Sequence, residues 1–157
     1  MGSEARRNRP MAARLLPGTT TRVRRGRRHD FAGVQAVLGC AAGNRAERLY
    51  KRMTRDLGTD LYVAEEAGGA IVAVIALAYA RSLLGGGLAA VLEVARRSTE
   101  PRLGEGLVAF AEDRARRRGC RELAARIDGV DPELRAVLLA RGFRPADALV
   151  AALVPAS

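Results

Sequence analysis

Apolar residues fall into two rhythms along this chain. Leu61–Glu65, Ile71–Ala80 and Leu88–Val94 are short apolar runs, separated by Ala67-Gly68-Gly69 and Gly85-Gly86-Gly87. Runs of that length bounded by glycine predict strands, and three joined by short turns predict an antiparallel meander. Elsewhere the spacing shifts to three and four. Phe31, Val34, Val37 and Leu38 predict a helix behind Asp30 as N-cap, ended by Gly39 and Gly43. Leu49, Tyr50 and Met53 predict a second helix over Arg45–Leu57, with Gly58 in the C′ position. The clearest helix is Gly104 to Arg118, with Leu107, Phe110, Ala111 and Ala115 on one face. Glu112 and Arg116, and Asp113 and Arg117, stand at i,i+4 along it. Three arginines crowd its C-terminus, where the helix dipole favours cations, and Gly119 supplies the cap. Glu122–Ile127 then predicts a strand reached by a crossover, hence parallel to the strand before the helix. Asp131 caps a last helix that Pro132 opens, with Leu134, Val137 and Leu138 on its face and Gly142 at its end. Thr21–Arg25 predicts an opening strand; Phe143 and Leu149–Val154 predict closing ones.

Composition bounds the class. A length of 157 residues suits one domain, and 48% apolar residues suffice for a core. That core is aliphatic, because aromatics are 4% and Trp is absent. The chain thus offers few rings on which single-stranded nucleic acid could stack. Residues 70–94 are apolar enough to suggest a membrane span, but Arg81 and the three glycines divide them into two lengths of strand. A buried hairpin is the expectation, and no membrane partner.

The net charge of +10 is concentrated at one end. Residues 1–28 hold nine arginines and one acid, a net +8, whereas residues 29–157 are close to balanced at +2. Residues 1–20, with Pro10, Pro17 and Gly18, are therefore expected to form a disordered basic arm, and residues 21–157 a single folded domain. Such an arm can hold phosphates non-specifically, the one route to a nucleic-acid partner. Cys40 and Cys120 are isolated and His29 stands beside two arginines, so no metal or redox motif is present. Two lone thiols and the lack of an apolar leader point to the cytoplasm.

The order strand, helix, helix, three strands, helix, strand, helix, strands over residues 21–154 resembles the GNAT superfamily of acetyl-CoA-dependent N-acyltransferases. Thr21–Asp30 is like its strand-to-helix opening, and Leu107–Cys120 (LVAFAEDRARRRGC) is very like its cofactor-side helix and following turn. Arg141-Gly142-Phe143 is similar to the glycine-aromatic pair after its last helix. The resemblance implies an α/β fold: a mixed, mostly antiparallel sheet with a splayed parallel strand pair, flanked by about four helices. It implies acetyl-CoA as co-substrate and a primary amine on a small molecule or protein as acceptor. The pantetheine arm would lie between Leu88–Val94 and Glu122–Ile127, and the diphosphate at the N-terminus of the helix near Gly104. Val94, Ala95, Arg96, Arg102, Leu103, Gly104, Glu105 and Gly106 are the residues this assigns to the cofactor. Glu93, a lone carboxylate ending an apolar strand, is the candidate general base, with burial expected to raise its pKa. A structural role for Glu93, paired with an arginine such as Arg126, stays open. Tyr79 reads either as an acceptor-pocket residue or as a structural edge tyrosine.

Two positions depart from the family pattern. The family's loop reads Arg/Gln-x-x-Gly-x-Gly/Ala. Counting back from Leu107-Val108 without a gap puts Thr99, Arg102 and Gly104 at its marked positions, whereas aligning on Gly104 and Gly106 puts Pro101 first. The ungapped register buries Leu103 and exposes Glu105. In either register Glu100 and Glu105 bring carboxylates near a diphosphate. The family's thiolate-protonating Tyr is replaced by Leu138. The alternative expectation is accordingly a protein of this fold that has lost its cofactor and serves as a non-catalytic interaction module. The apolar run Leu149–Val154 is a plausible edge for a homodimer.

Overall fold

Six strands pair in chain order into one sheet, each beside the strand before it. They are β1 (Arg14–Leu15), β2 (Arg22–Arg25), β3 (Thr59–Glu65), β4 (Ile71–Ser82), β5 (Gly87–Arg96) and β6 (Glu122–Arg126). The helices are α1 (Phe31–Leu38), α2 (Asn44–Met53), α3 (Leu103–Arg117) and α4 (Pro132–Ala140). This computed structural model describes residues 12–39, 43–126 and 131–146. Every strand pair is antiparallel except β5 with β6, which α3 joins as a parallel crossover. The expected meander is β3–β4–β5, and the apolar stretch 70–94 forms the β4–β5 hairpin. Among the described residues no helix is long and apolar enough to cross a membrane. The closing strand expected over Leu149–Val154, the strand end at Ile127 and the first eleven residues lie outside the described residues.

The two faces of the sheet carry different cores. Tyr62, Ile75, Leu77, Ala90 and Leu92 pack beneath Leu103, Leu107, Phe110 and Ala111 of α3. Leu61, Val63 and Val74 on the opposite face pack beneath Val34, Val37 and Tyr50 of α1 and α2. The alternation within β3 therefore serves both layers, which is why it reads as one continuous apolar run. Each fully buried leucine contributes about 1.5–3 kcal/mol.

The expectation of a disordered segment up to residue 20 is corrected for residues 12–20. Arg14 and Leu15 pair with Val23 and Arg22, and Leu16 is 1% exposed in the α3 core. Pro17 and Gly18, which suggested disorder, form instead the turn between β1 and β2, held by Leu16 N–H donating to the Thr21 carbonyl at 2.9 Å. The second helix is also shorter than expected. It stops at Met53 because Asp56 offers the chain local hydrogen bonds, accepting from Gly58 N–H at 2.9 Å and from the Thr59 hydroxyl at 3.0 Å. Asp30 precedes α1 as expected, yet its side chain makes no cap bond to that helix. It accepts instead the Arg27 N–H at 2.6 Å and a fork from Arg24 at 2.7 and 2.8 Å.

Asp60 is a charge at the heart of the α3 layer, 1% exposed. It accepts from Arg118 at 2.8 Å, from Arg25 at 3.0 Å and from the Tyr79 hydroxyl at 2.8 Å. The Arg118 guanidinium also lies 4.7 Å from the Tyr79 ring centre, so Tyr79 is a structural tyrosine. Burial pushes the Asp60 carboxyl up; the bonds from Arg118 and Tyr79 and the nearby charges outweigh it and hold the pKa below its ordinary 3.8. A lowered pKa means stability present above that ordinary value and lost as pH falls through the folded one. Urea unfolding is expected to show wild type well above Asp60→Asn in stability at pH 7, with the gap closing below about pH 4. A gap independent of pH contradicts this assignment.

Candidate functional site

β5 outruns its parallel neighbour. Among the described residues its ladder with β6 ends at Glu93 opposite Arg126, and β5 continues through Val94, Ala95 and Arg96 to the loop before α3. The three residues pair with Ile75, Val74 and Ala73 of β4. α3 and α4 pack over this end of the sheet, with a narrow gap between them and the strands.

Apolar side chains fill the gap. Leu92, Val94 and Ala125 of the sheet meet Val108 of α3 and Leu134 and Leu138 of α4 around a cavity of about 10 Å³. That is room for about one water. Leu138, which replaces the expected tyrosine, is one of its walls. Both ends of α4 are fastened by arginine forks. At its start, Arg96 donates to Asp131 at 2.7 and 2.9 Å and to Glu133 at 3.1 Å. At its end, Arg141 donates to Glu112 of α3 at 2.9 and 3.0 Å. Asp131 also caps α4 as expected, accepting from Leu134 N–H at 2.9 Å, and Pro132 is the first helical residue. The Arg96 fork foremost, with this cap, holds the Asp131 carboxyl below its ordinary range.

The N-terminus of α3 begins on a left-handed residue. Arg102, at its N-cap, has φ 67° and ψ 1°, the only non-glycine with positive φ among the described residues. That is glycine's natural region, and the ungapped alignment places a family glycine there. Leu103 is buried and Glu105 exposed, as that register requires.

The residues expected at the cofactor are brought together but do different work. Leu103 belongs to the core. Gly106 faces Leu16, which would stand 3.3 Å from an added Cβ, so its smallness serves packing. Arg102 lies against Gly18 and pairs with Glu105 at 3.7 Å. Gly104 faces the gap, where an added Cβ would stand 3.4 Å from Arg96 Nη1 and 3.8 Å from Leu134. The N–H groups of Gly104 and Glu105 have no partner among the described residues. Val94 lines the gap, and Ala95 packs toward α1 and α2. Glu100, expected to repel a diphosphate, is turned away. It accepts from Thr20 N–H and the Thr21 hydroxyl, both at 2.6 Å, and so ties the loop to the β1–β2 turn.

Glu93 stands on the opposite face of the sheet, at the last paired position of β5. The burial expected for it is corrected: its side chain is 57% exposed, 3.8 Å from Arg126. Strand alternation points it toward solvent beyond α1 and α2. The same face carries Ala78 opposite Val91 opposite Ala124, and Ala80 opposite Ala89 opposite Glu122. Ala78, Ala80, Val91 and Ala124 are exposed, making an open floor of small apolar residues with carboxylates at both ends. Sequence reasoning missed this floor, the α4 forks and the Glu100 clasp. Alanine within a strand gave the only signal of the first.

No family model matches the sequence, and no curated protein matches it. Solved structures do match in fold. A transcriptional regulator from Bacillus halodurans C-125 aligns with TM-score 0.74 at 19% identity, over 85% of this chain and 99% of its own. Glucosamine-6-phosphate N-acetyltransferase from Arabidopsis thaliana aligns with TM-score 0.70 at 19% identity, over 87% of this chain and 100% of its own. A predicted acetyltransferase with acetyl-CoA from Clostridium acetobutylicum aligns with TM-score 0.67 at 14% identity, over 85% of this chain and 96% of its own.

A left-handed backbone costs a residue with a Cβ about 1 kcal/mol or more relative to glycine. Chemical denaturation should therefore find Arg102→Gly more stable than Arg102→Ala by about 1 kcal/mol, two variants that lose the same side-chain contacts. Equal stabilities would remove the strain and the register with it. Sheet order, the single parallel pair and the four flanking helices among the described residues together give this chain the GNAT fold.

Proposed function

We propose that the chain is an acetyl-CoA-dependent N-acetyltransferase acting on a primary amine, with Glu93 as its general base. One observation carries the reading. Glu93 is the only carboxylate of β5, it stands opposite Arg126 in the parallel pair, and its side chain is open to solvent. The residues suit the co-substrate in kind. The backbone of Val94–Arg96 suits an amide-bearing arm, and the Gly104 and Glu105 N–H groups with the Arg96 guanidinium suit a diphosphate. The cavity between Leu92, Val94, Leu134 and Leu138, about 10 Å³, is smaller than that arm. When bound, acetyl-CoA supplies the acyl thioester.

Glu93 takes a proton from the acceptor ammonium, directly or through one water, and leaves a nucleophilic amine. Arg126 lies 3.8 Å from the Glu93 carboxylate. The alanine floor admits a flat apolar acceptor skeleton, and Glu93 and Glu122 attract its cationic amine. The solved relatives are named for acceptors as different as an amino sugar phosphate and an antibiotic, and the acceptor of this chain lies within primary amines. We place the activity in the cytoplasm, where Cys120 stays a free thiol.

The filled gap favours a second reading, a non-catalytic module that no longer binds the co-substrate. Calorimetry with acetyl-CoA separates the two. Affinity near 1 µM, about −8 kcal/mol, supports the enzyme, and no binding at millimolar concentration supports the module. If acetylation of an amine panel is found, Glu93→Gln is expected to lower kcat about 10²-fold or more with an unchanged unfolding midpoint. Unaltered kcat removes Glu93 from the chemistry.

A further inference from the structure

Leu57, Leu83 and Leu84 are the most exposed large apolar side chains among the described residues, at 91%, 96% and 102%. They come together at one end of the sheet. Leu83 and Leu84 form the tip of the β4–β5 hairpin, between Ser82 and the glycines at 85–87. Leu57 stands in the connection from α2 to β3, which lies against β4, since Tyr79 N–H donates to the Gly58 carbonyl at 2.9 Å. The connection from α3 to β6 closes the same end. There Arg121 N–H donates to the Leu88 carbonyl at 2.8 Å, and its guanidinium to the Gly86 carbonyl at 3.3 Å. Arginines surround the leucines. The three connections with their flanking residues, 52–58, 81–87 and 116–122, hold seven arginines against two acids, Asp56 and Glu122. Arg116, Arg117 and Arg118 are paired with Glu112, Asp113 and Asp60. Arg52, Arg55, Arg81 and Arg121 are exposed and make no ion pair among the described residues. Asp56 is engaged with Gly58 N–H and the Thr59 hydroxyl in its own turn.

We propose that this end of the sheet docks on an anionic lipid surface, with Leu83 and Leu84 entering the headgroup region and the free arginines meeting lipid phosphates and carboxylates. Shape selects the occupant. A hairpin tip followed by three glycines holds its leucines outward with no wall around them. A protein partner would need a groove to receive them, whereas a fluid interface takes such a tip as it stands. Chemistry selects it too. Nucleic acid would engage the arginines but leave the leucines in water, and the chain has few rings on which bases stack. An arginine beside an inserted leucine lays its stem along the apolar layer and keeps its head among the phosphates. The contact is with the surface and needs no span. Glu93 stands about 20 Å along β5 from Gly87, at the other end of the pairing with β6, so docking leaves the candidate base clear of lipid.

The test uses the full chain and phosphatidylcholine vesicles, with or without about 30% phosphatidylserine, in about 0.15 M salt. Sedimentation should find the chain on the phosphatidylserine vesicles and not on phosphatidylcholine alone. Leu83→Ser/Leu84→Ser, which leaves every charge in place, should bind about ten-fold more weakly. Arg81→Gln/Arg121→Gln should also bind about ten-fold more weakly, with a shallower dependence on salt. Both variants alter exposed side chains and should keep the wild-type melting temperature. The chain has no Trp, so Leu84→Trp places the sole indole at the tip. Its emission should move to shorter wavelength on phosphatidylserine vesicles and stay put on phosphatidylcholine. No binding to phosphatidylserine vesicles overturns the proposal, as does an unmoved emission. Equal binding by wild type and the leucine variant also overturns it, because diffuse charge, to which Arg6, Arg7 and Arg9 contribute, would then suffice. A duplex RNA that binds where vesicles fail, with the leucine substitutions without effect, gives the arginines to nucleic acid instead.

Discussion

The parallel pairing of β5 with β6 across α3 is the constraint around which this molecule is built. The crossover helix covers only part of that face of the strand pair, and something has to cover the apolar rest. Here α4 does so, with Leu134 and Leu138 in the gap and a guanidinium fork at each end of the helix. The arrangement also fixes the head of α3, since Arg96 reaches from the sheet past Gly104 to α4. Core, crossover helix and closing helix therefore meet at one side chain.

Arginine carries most of the fixed geometry elsewhere too. Arg24 forks onto Asp30 and reaches Glu65, Arg25 and Arg118 converge on Asp60, and Arg141 forks onto Glu112. A planar guanidinium holds a carboxylate in two places at once, which an ammonium does not. With 26 arginines and one lysine the chain can use this device at every junction between layers. Exposed pairs such as Arg117 with Asp113 add little stability by comparison.

Elements with a strong local signal were legible in the sequence. α3 is set by its apolar spacing and by Gly119, which takes the expected left-handed conformation at φ 79°. α4 is set by Asp131 and Pro132, and the meander by glycines between apolar runs. Its parallel partner β6 followed from the crossover alone. β1 was hidden because two residues of strand among arginines, followed by proline and glycine, look like a tail; only the burial of Leu16 against Gly106 makes them part of the fold. Glu93 stands out in the sequence as the lone carboxylate of an apolar strand, but its exposure depends on how far α1 and α2 extend over the sheet. The Arg96–Asp131 fork joins residues 35 apart, a pairing no local pattern announces.

What separates an enzyme from a fold emptied of its chemistry is whether it takes up the co-substrate. A crystal structure grown with coenzyme A measures that directly. The account predicts the arm against Val94–Arg96, the diphosphate at Gly104 and Glu105, and the thiol reaching the Glu93 side of the sheet. Coenzyme A bound elsewhere, or absent from the crystal, contradicts it.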